Sequence, residues 1–568
     1  MAHYDHWRSP SELPDLRRVD LIALDTETRD DGLLADRGSA WPWRSGYICG
    51  ISVAWRAGGE IRAHYFPIRH PDSKNLDPAQ VSRWLRDHVA SRVRFVTQKG
   101  LYDWGWLRAD LGVTMPPSEQ LEEIGALATL VDENRLSYSL DSLCAWRGLA
   151  GKDETLLIEA VKALGERISK KKNRPQSHIW RLRARDVSPY AVADAINTLA
   201  LFEDLNPILD REGTRDAYRL EIDLLPMVLE MRRRGVRVDT AKAEQAREYC
   251  LQQRDQKLAE LSEKLGADVS MAEIGRNAWL AATFDQHKIA YPRTEKGNPS
   301  FTAGNTGWMP HHPHWLPQLI VKAKKYNNAA VNVLETYILE HVVNGRIHAE
   351  INPHRGESNG TKSFRFSYSD PPLQLMPSRD EELASLIRSA FLPEDGEYWA
   401  DSDISQQEFR HLVHSATAQG LRKAKEAAER YLNDPDTDFH RLAAELTGLD
   451  RKLAKAVNFA KIYGAGKEKF AAMIGKSEAE ARAIQARYDR ELPFIYQLAA
   501  RCEHTANRQG YLELYDGARR HWDSWEAPAV AWTKGRGRVR ARRRSAVSPI
   551  PTTPGTGVDC GARTPTPP

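Results

Sequence analysis

Val19-Asp20-Leu21-Ile22-Ala23-Leu24 is apolar except at Asp20, and its unbroken run from Leu21 to Leu24 reads as a buried strand. Ile48 to Ala54 and Ile61 to Ile68 read as two more strands. Helical spacing then marks 78–90, 101–111 and 119–132. Strands followed by helices predict an α/β domain with a mixed sheet in the first part of the chain, to about residue 212. Residues 216–265 are helical by period, and Glu221 to Met231 is amphipathic. That helix stops at Gly235, where Val236-Arg237-Val238-Asp239 opens a new element. Residues 345–410, including Tyr398 to Ile404, read as strands and loops, and 415–510 as mostly helix. No internal repeat is visible. After Trp532 the pattern stops: the chain becomes Arg-rich, then rich in Pro, Thr and Gly, with prolines at 549, 551, 554, 565, 567 and 568. Such a segment buries too little apolar surface to offset its ordering entropy, and disorder is expected over 531–568.

Composition narrows the class. The 568 residues give room for three or four domains, and 41% hydrophobic with 28% charged residues is ordinary for a globular protein. No run of about 18 apolar residues could span a bilayer, and Met1 to His6 lacks the basic-then-apolar plan of a signal peptide. Cys49, Cys144, Cys250, Cys502 and Cys560 show no metal-ligand spacing and read as reduced thiols of a cytoplasmic protein, in a bacterial or phage-infected cell. The net charge of +4 hides an asymmetry. Residues 531–568 hold eight basic residues against Asp559, a net of +7, so the other 530 residues sum to −3 (4 minus 7). Nucleic-acid binding must therefore come from local basic grooves, balanced by acidic patches that hold metal.

Two groups of residues carry chemistry. Asp25 and Glu27, at the end of the first strand, share a face because strand side chains alternate. Alone, an Asp-x-Glu pair is most often a solvated strand end. Asp103 in the first turn of a helix, and Tyr190 with Asp194 one helical turn apart, make it more. The second group is Arg451, Lys455, Phe459 and Tyr463, repeated every four residues and so on one helix stripe. Two cations followed by two aromatics suit a triphosphate at one end and a stacked base at the other, although the same spacing also describes a solvated face over a core.

Asp25, Glu27, Asp103, Asp194 and Tyr190, in that order, resemble the 3′–5′ proofreading domain of family A DNA polymerases, a DEDD exonuclease of the tyrosine type. The resemblance implies that the four carboxylates hold two Mg²⁺ ions, with Mn²⁺ as an alternative, and that Tyr190 orients the attacking water. Lys99 stands where the family often has Asn, four residues before the third acid.

Tyr398 to Arg410 resembles motif A of the same family. It selects Asp403 as the metal-binding acid, with Asp401 as a weaker candidate, and Glu408 as the steric gate against a ribose 2′-OH. Arg451 to Gly464 resembles motif B. That implies Arg451 and Lys455 on the incoming triphosphate, Lys455 as general acid for pyrophosphate, Phe459 on sugar and base, and Tyr463 at the insertion site. Phe rather than Tyr at 459 implies discrimination against dideoxynucleotides. Arg365 to Arg379 tracks a further family segment, with Arg365 and Gln374 at the duplex minor groove and Arg379 near the nucleotide. Asp438-Phe439-His440 matches the fingers' Asp-x-His, with His440 at a phosphate oxygen. The helix from Glu221 resembles the start of the thumb.

The family's second palm carboxylate, on a His-Asp-Glu hairpin, is not found. Only 105 residues follow Tyr463, His521-Trp522-Asp523 comes too early for it, and Asp559 lies among Gly, Thr and Pro. The tail reads as a frameshifted or truncated replacement. The implied fold is α/β: a ribonuclease H-like DEDDy exonuclease domain at 1–212, then a right-hand polymerase domain lacking the end of its palm. Thumb is expected at 213–345, palm and fingers at 346–530. No 5′-nuclease region precedes the exonuclease, which favours a phage replicative type. The expected activity is template-directed DNA synthesis with proofreading in phage replication. The expected partners are primer–template DNA, a single-stranded 3′ end and dNTPs, with a processivity factor or helicase–primase as further candidates and no membrane. The alternatives are an exonuclease-only protein and a non-catalytic primer–template binder.

Overall fold

A computed structural model of the chain describes residues 9–522 apart from 170–172, 295, 304–306, 355–360, 362, 379, 463–469, 472, 473 and 475, together with three residue pairs beyond 522. Apart from those three pairs, the tail expected to be disordered lies outside the described residues, as do Arg379, Tyr463 and the side chain of Phe459.

The N-terminal region is built on a five-stranded sheet of order β3-β2-β1-β4-β5. Its strands are β1 (Leu21–Asp30), β2 (Gly46–Ala57), β3 (Glu60–Pro67), β4 (Arg94–Thr97) and β5 (Leu121–Glu123). The first strand is central, antiparallel to β2 and parallel to β4. That position explains the continuous apolar run, because Ile22, Ala23 and Leu24 are wholly buried. The strand continues six residues past Leu24 through polar positions, since β2 pairs with it as far as Asp30. Helix α1 (Pro78–Ala90) and helix α2 (Gly100–Leu111) fall where spacing predicts them.

The expected helix over 119–132 is instead a 3₁₀ turn, strand β5 and helix α3 (Ile124–Val131). The two glutamates that break the period there, Glu122 and Glu123, are buried and bonded to other elements, so tertiary partners outweigh local spacing. Helix α4 (Thr155–Ala163) leads to the 29-residue helix α5 (Ala184–Glu212), which packs across β1, β2 and β3.

Helix α6 (Arg215–Arg234) ends at Gly235, whose φ of +61° is easy only for glycine. The next residues, Val236–Val238, form a strand, and helix α7 (Thr240–Leu265) follows, N-capped by Asp239. Helix α8 (Trp315–Asn327) packs along α7. Between them lies a separate small core with Leu261, Phe284, Leu316 and Ile320.

Beyond residue 406 the chain is helical, as expected. It forms α9 (Gln407–Ala418), α10 (Phe439–Thr447), α11 (Arg451–Ile462), α12 (Glu478–Glu491) and α13 (Pro493–Gln509). These helices share a core through Phe409, Phe439, Val457, Tyr488 and Phe494. A hairpin of Tyr511–Leu514 and Arg519–His521 closes the described chain.

A second expectation differs. Tyr398 to Ile404 is not a strand: among the described residues nothing pairs with it, and Tyr398 is 94%, Trp399 60% and Ile404 60% exposed. A lone extended segment has no ladder to satisfy its backbone and stays irregular. Cys49, Cys144 and Cys250 are free and buried, as expected of reduced thiols, whereas Cys502 is disulfide-bonded. No helix among the described residues is long and apolar enough to cross a membrane.

Candidate active sites

Three elements bring the predicted carboxylates together. Strand β1 carries Asp25 and Glu27, opposite Ser52 and Gly50 of β2, and its register shifts immediately after Glu27. Helix α5 carries Tyr190 and Asp194 on the turn that crosses these strands. Oxygens of Asp25, Glu27 and Asp194 lie within 4.8 Å of one another. Gly50 makes room beside Glu27: a Cβ there would stand 2.2 Å from the Tyr65 hydroxyl.

Helix α2 brings the fourth acid. Asp103 is buried, and its Oδ1 accepts from the backbone N–H (3.0 Å) and the hydroxyl (2.7 Å) of Thr26, between the two β1 acids. It is not among the oxygens that cluster within 4.8 Å, yet its charge acts on Asp25.

The electrostatics are those of an overloaded acidic site. Burial, then the charge of Asp194, pushes Glu27 up to about 8. Burial pushes Asp103 up to about 7 against the Thr26 hydrogen bond. Asp25 is held well above the carboxylate range by burial and by Asp103, Glu27 and Asp194, and Asp194 is raised mainly by burial. Glu27 Oε1 and Asp194 Oδ1 are buried without a hydrogen-bond partner among the described residues. Unpartnered buried oxygens on neighbouring carboxylates are costly unless a cation joins them. The donor set, all oxygen and all acidic, fits a hard divalent cation such as Mg²⁺.

Two residues of this site carry no signal in the sequence. Lys152, in the loop before α4, donates from Nζ to the Tyr190 hydroxyl at 3.0 Å and to Asp194 Oδ2 at 3.2 Å. Its place follows from tertiary contact alone. Glu123 accepts from the backbone N–H of Lys99 and of Gly100 at 2.8 Å each, and from the Thr97 hydroxyl at 2.8 Å. It thereby caps α2, the helix that presents Asp103. Lys99 itself, with a φ of +74°, is the residue at that cap.

In the C-terminal region only the first half of the predicted stripe on α11 falls among residues whose side chains are described. Arg451 and Lys455 are exposed, while Ala454, Val457 and Asn458 face the core. Arg451 Nε donates to Asp438 at 2.6 Å, and Asp438 caps α10 through the N–H groups of His440 and Arg441. Buried His440 meets Asn458 Nδ2 through its Nδ1 at 2.8 Å. Burial lowers its pKa, and the charges of Asp438, Lys455, Arg451 and Glu408 all reach its ring. Asn458 also accepts from the Tyr488 hydroxyl at 2.5 Å, so one buried amide ties α10, α11 and α12. Glu408 lies 3.9 Å from Arg365, which joins two predicted site residues. Gln374 is exposed and accepts from the backbone of Tyr368. Asp401 and Asp403 are exposed in the irregular segment before α9. Gln406, missed in the sequence, ties that segment to α10 by accepting from Phe439 N–H (3.0 Å) and donating to the Thr437 carbonyl (2.8 Å).

Comparison with known proteins agrees with this arrangement. Residues 248–549 match DNA polymerase family A. The chain is 30% identical to a DNA-directed DNA polymerase of Pseudomonas phage M6, over 94% of this chain and 86% of that one. It is 29% identical to DNA polymerase DpoZ of Salmonella phage PMBT28, over 89% and 82%. DNA polymerase I of Pseudomonas aeruginosa is 26% identical over 97% of this chain and 56% of its own length. Among solved structures, the POL domain of Pol1 from M. smegmatis, in complex with DNA primer-template and dNTP, shares the fold with a TM-score of 0.66 at 18% identity, covering 90% of this chain and 80% of that one. The chain belongs to DNA polymerase family A.

Proposed function

We propose that this DNA-directed DNA polymerase carries a 3′–5′ exonuclease in its N-terminal region, residues 1–212, and serves phage DNA replication. The observation that carries the reading is the meeting of Asp25, Glu27 and Asp194 oxygens within 4.8 Å, with one oxygen of Glu27 and one of Asp194 buried and unpartnered. Asp25, Glu27, Asp103 and Asp194 would hold two Mg²⁺ ions. Bound there, the ions supply Lewis-acid stabilisation of an in-line displacement at phosphorus. The chain's own contribution is positional. Strand β1 and helix α5 fix the carboxylates on buried, rigid elements. Tyr190, 7% exposed at the rim, holds its phenolic proton, since burial raises its pKa well above the usual value. It can therefore donate a hydrogen bond to a water or to a phosphate oxygen throughout the physiological range.

For synthesis, Asp403 would bind metal. Arg451 and Lys455, with Arg379 and His440 nearby, would take the triphosphate, and Phe459 and Tyr463 the base. Lys455 would protonate the leaving pyrophosphate. Glu408 would gate the sugar, and Arg365 and Gln374 would touch the duplex. The region 213–345 would serve as thumb and 346–530 as palm and fingers. A second reading, in which hydrolysis is the only activity of this chain, is favoured by one observation: Asp403 sits in an exposed segment that no strand supports. Primer extension with dNTPs, compared with D403A, decides between them. Extension that D403A abolishes supports synthesis. No extension, alongside D25A-sensitive degradation of single-stranded DNA, supports the second reading. Neither activity in the intact chain overturns both.

A further inference from the structure

The acidic site already holds one cation of its own. Lys152 Nζ lies 3.0 Å from the Tyr190 oxygen, 3.2 Å from Asp194 Oδ2 and 4.5 Å from the centroid of the Tyr190 ring. Both ends of the ion pair are enclosed: the Lys152 side chain is 10% exposed and that of Asp194 8%. A lysine ordinarily keeps its ammonium in water, and it gives that up only where fixed negative charge replaces the lost hydration. Here the replacement is the carboxylate cluster.

The lysine is aimed from both sides. Following it, Asp153 accepts from the backbone of Thr155 and starts α4, whose Leu157 and Val161 pack into the same small core as Tyr190. Preceding it, Gly151 has open space around it, with no atom within 4 Å of where a Cβ would stand. One end of the loop is thus anchored to the Tyr190 core, and the other is uncrowded.

A cation that joins Asp194 to the β1 acids finds Asp194 Oδ1 without a hydrogen-bond partner, while Lys152 holds Oδ2 of the same carboxylate. An ammonium and a divalent ion repel at such distances in a poorly hydrated site. We propose that Lys152 is a resident counter-cation of the carboxylate centre, whose charge opposes metal loading and so sets the metal concentration the centre needs. It is a positioning residue, acting through Asp194 and Tyr190. The proposal rests on the exonuclease reading of this site.

The test measures Mn²⁺ binding to the full chain by electron paramagnetic resonance, in wild type, D25A, K152M, K152Q and K152R. Binding that D25A weakens places the ion at this centre. The two neutral variants should bind Mn²⁺ about tenfold more tightly than wild type, the scale of one removed neighbouring charge. K152R, which keeps the charge, should stay near wild type. Using two neutral variants covers the case in which one fails to fold. Equal or weaker Mn²⁺ affinity in a folded neutral variant overturns the proposal and shows Lys152 to be a supporting contact of the ligand set. Wild-type binding that D25A leaves unchanged overturns the metal reading of the site itself, and the proposal with it.

Discussion

At the residue scale the acidic centre is a place where stability is given up for chemistry. Glu27 titrates near 8 in the folded, metal-free chain against an ordinary 4.5, so the folded state holds the proton more tightly than the unfolded state does. Stability must then fall as pH rises from about 4.5 to 8, and the loss is complete above the folded value. Thermal melts in EDTA should show that slope, E27Q should flatten it, and Mg²⁺ at pH 8 should restore stability to wild type but not to E27Q. A second residue-scale prediction concerns Gly50. Its close approach to Tyr65 means that G50A must displace the phenol or β2, at a cost of about 1–3 kcal/mol. Denaturant unfolding should show that loss, with hydrolysis falling although no ligand has changed. Asp25, Glu27, Asp103, Tyr190 and Asp194 were legible as a set because their order resembles a known family pattern; strand and helix periods alone pair only Asp25 with Glu27 and Tyr190 with Asp194. Lys152 and Glu123 were not, because each reaches the site from another element and neither lies in a periodic pattern.

At the element scale, α11 has two working faces. The sequence shows the outward one, with Arg451 and Lys455, because charge at four-residue spacing is conspicuous. The inward one turns on Asn458, a polar residue on an apolar face whose partners His440 and Tyr488 lie 18 and 30 residues away. Replacing it by alanine leaves two buried polar groups with one partner fewer, which should cost about 2–4 kcal/mol. Chemical denaturation of N458A checks this, and a loss below about 0.5 kcal/mol would contradict the bridging role. The mistaken helix over 119–132 has the same origin. Glu122 and Glu123 are buried against Tyr218 and the start of α2, contacts that local spacing cannot reveal.

At the scale of the whole molecule, the N-terminal sheet region and the C-terminal helices are joined by a buried ionic contact. Glu133, just past α3, has a fully buried side chain and meets Arg520 and His521 of the terminal hairpin, with His521 Nδ1 3.0 Å from Glu133 Oε2. His521, which in sequence could be taken for part of a catalytic hairpin, is used here as a fastener. Burial opposes both charges, but the mutual hydrogen bond and charge still raise His521 above 6.5 and lower Glu133 below 4.5. The imidazolium's share of stability is complete below about 6.5 and lost as pH rises through its raised folded value. The carboxylate's share is complete above about 4.5 and lost as pH falls toward its lowered one. The contact is therefore strongest between about 4.5 and 6.5. The Tm of E133Q should lose that pH dependence, and limited proteolysis should show the two regions separating more readily.

The central claim is that the Asp25–Glu27–Asp194 centre is a metal-dependent nuclease. The most direct measurement is degradation of 5′-labelled single-stranded DNA by the full chain, resolved nucleotide by nucleotide, with Mg²⁺, with EDTA and with D25A. A metal-dependent 3′–5′ nuclease gives a ladder shortening from the 3′ end in Mg²⁺ only, reduced in D25A by about 10²-fold or more. A ladder that persists undiminished in D25A, or no Mg²⁺-dependent shortening by the folded wild-type chain, would contradict that claim.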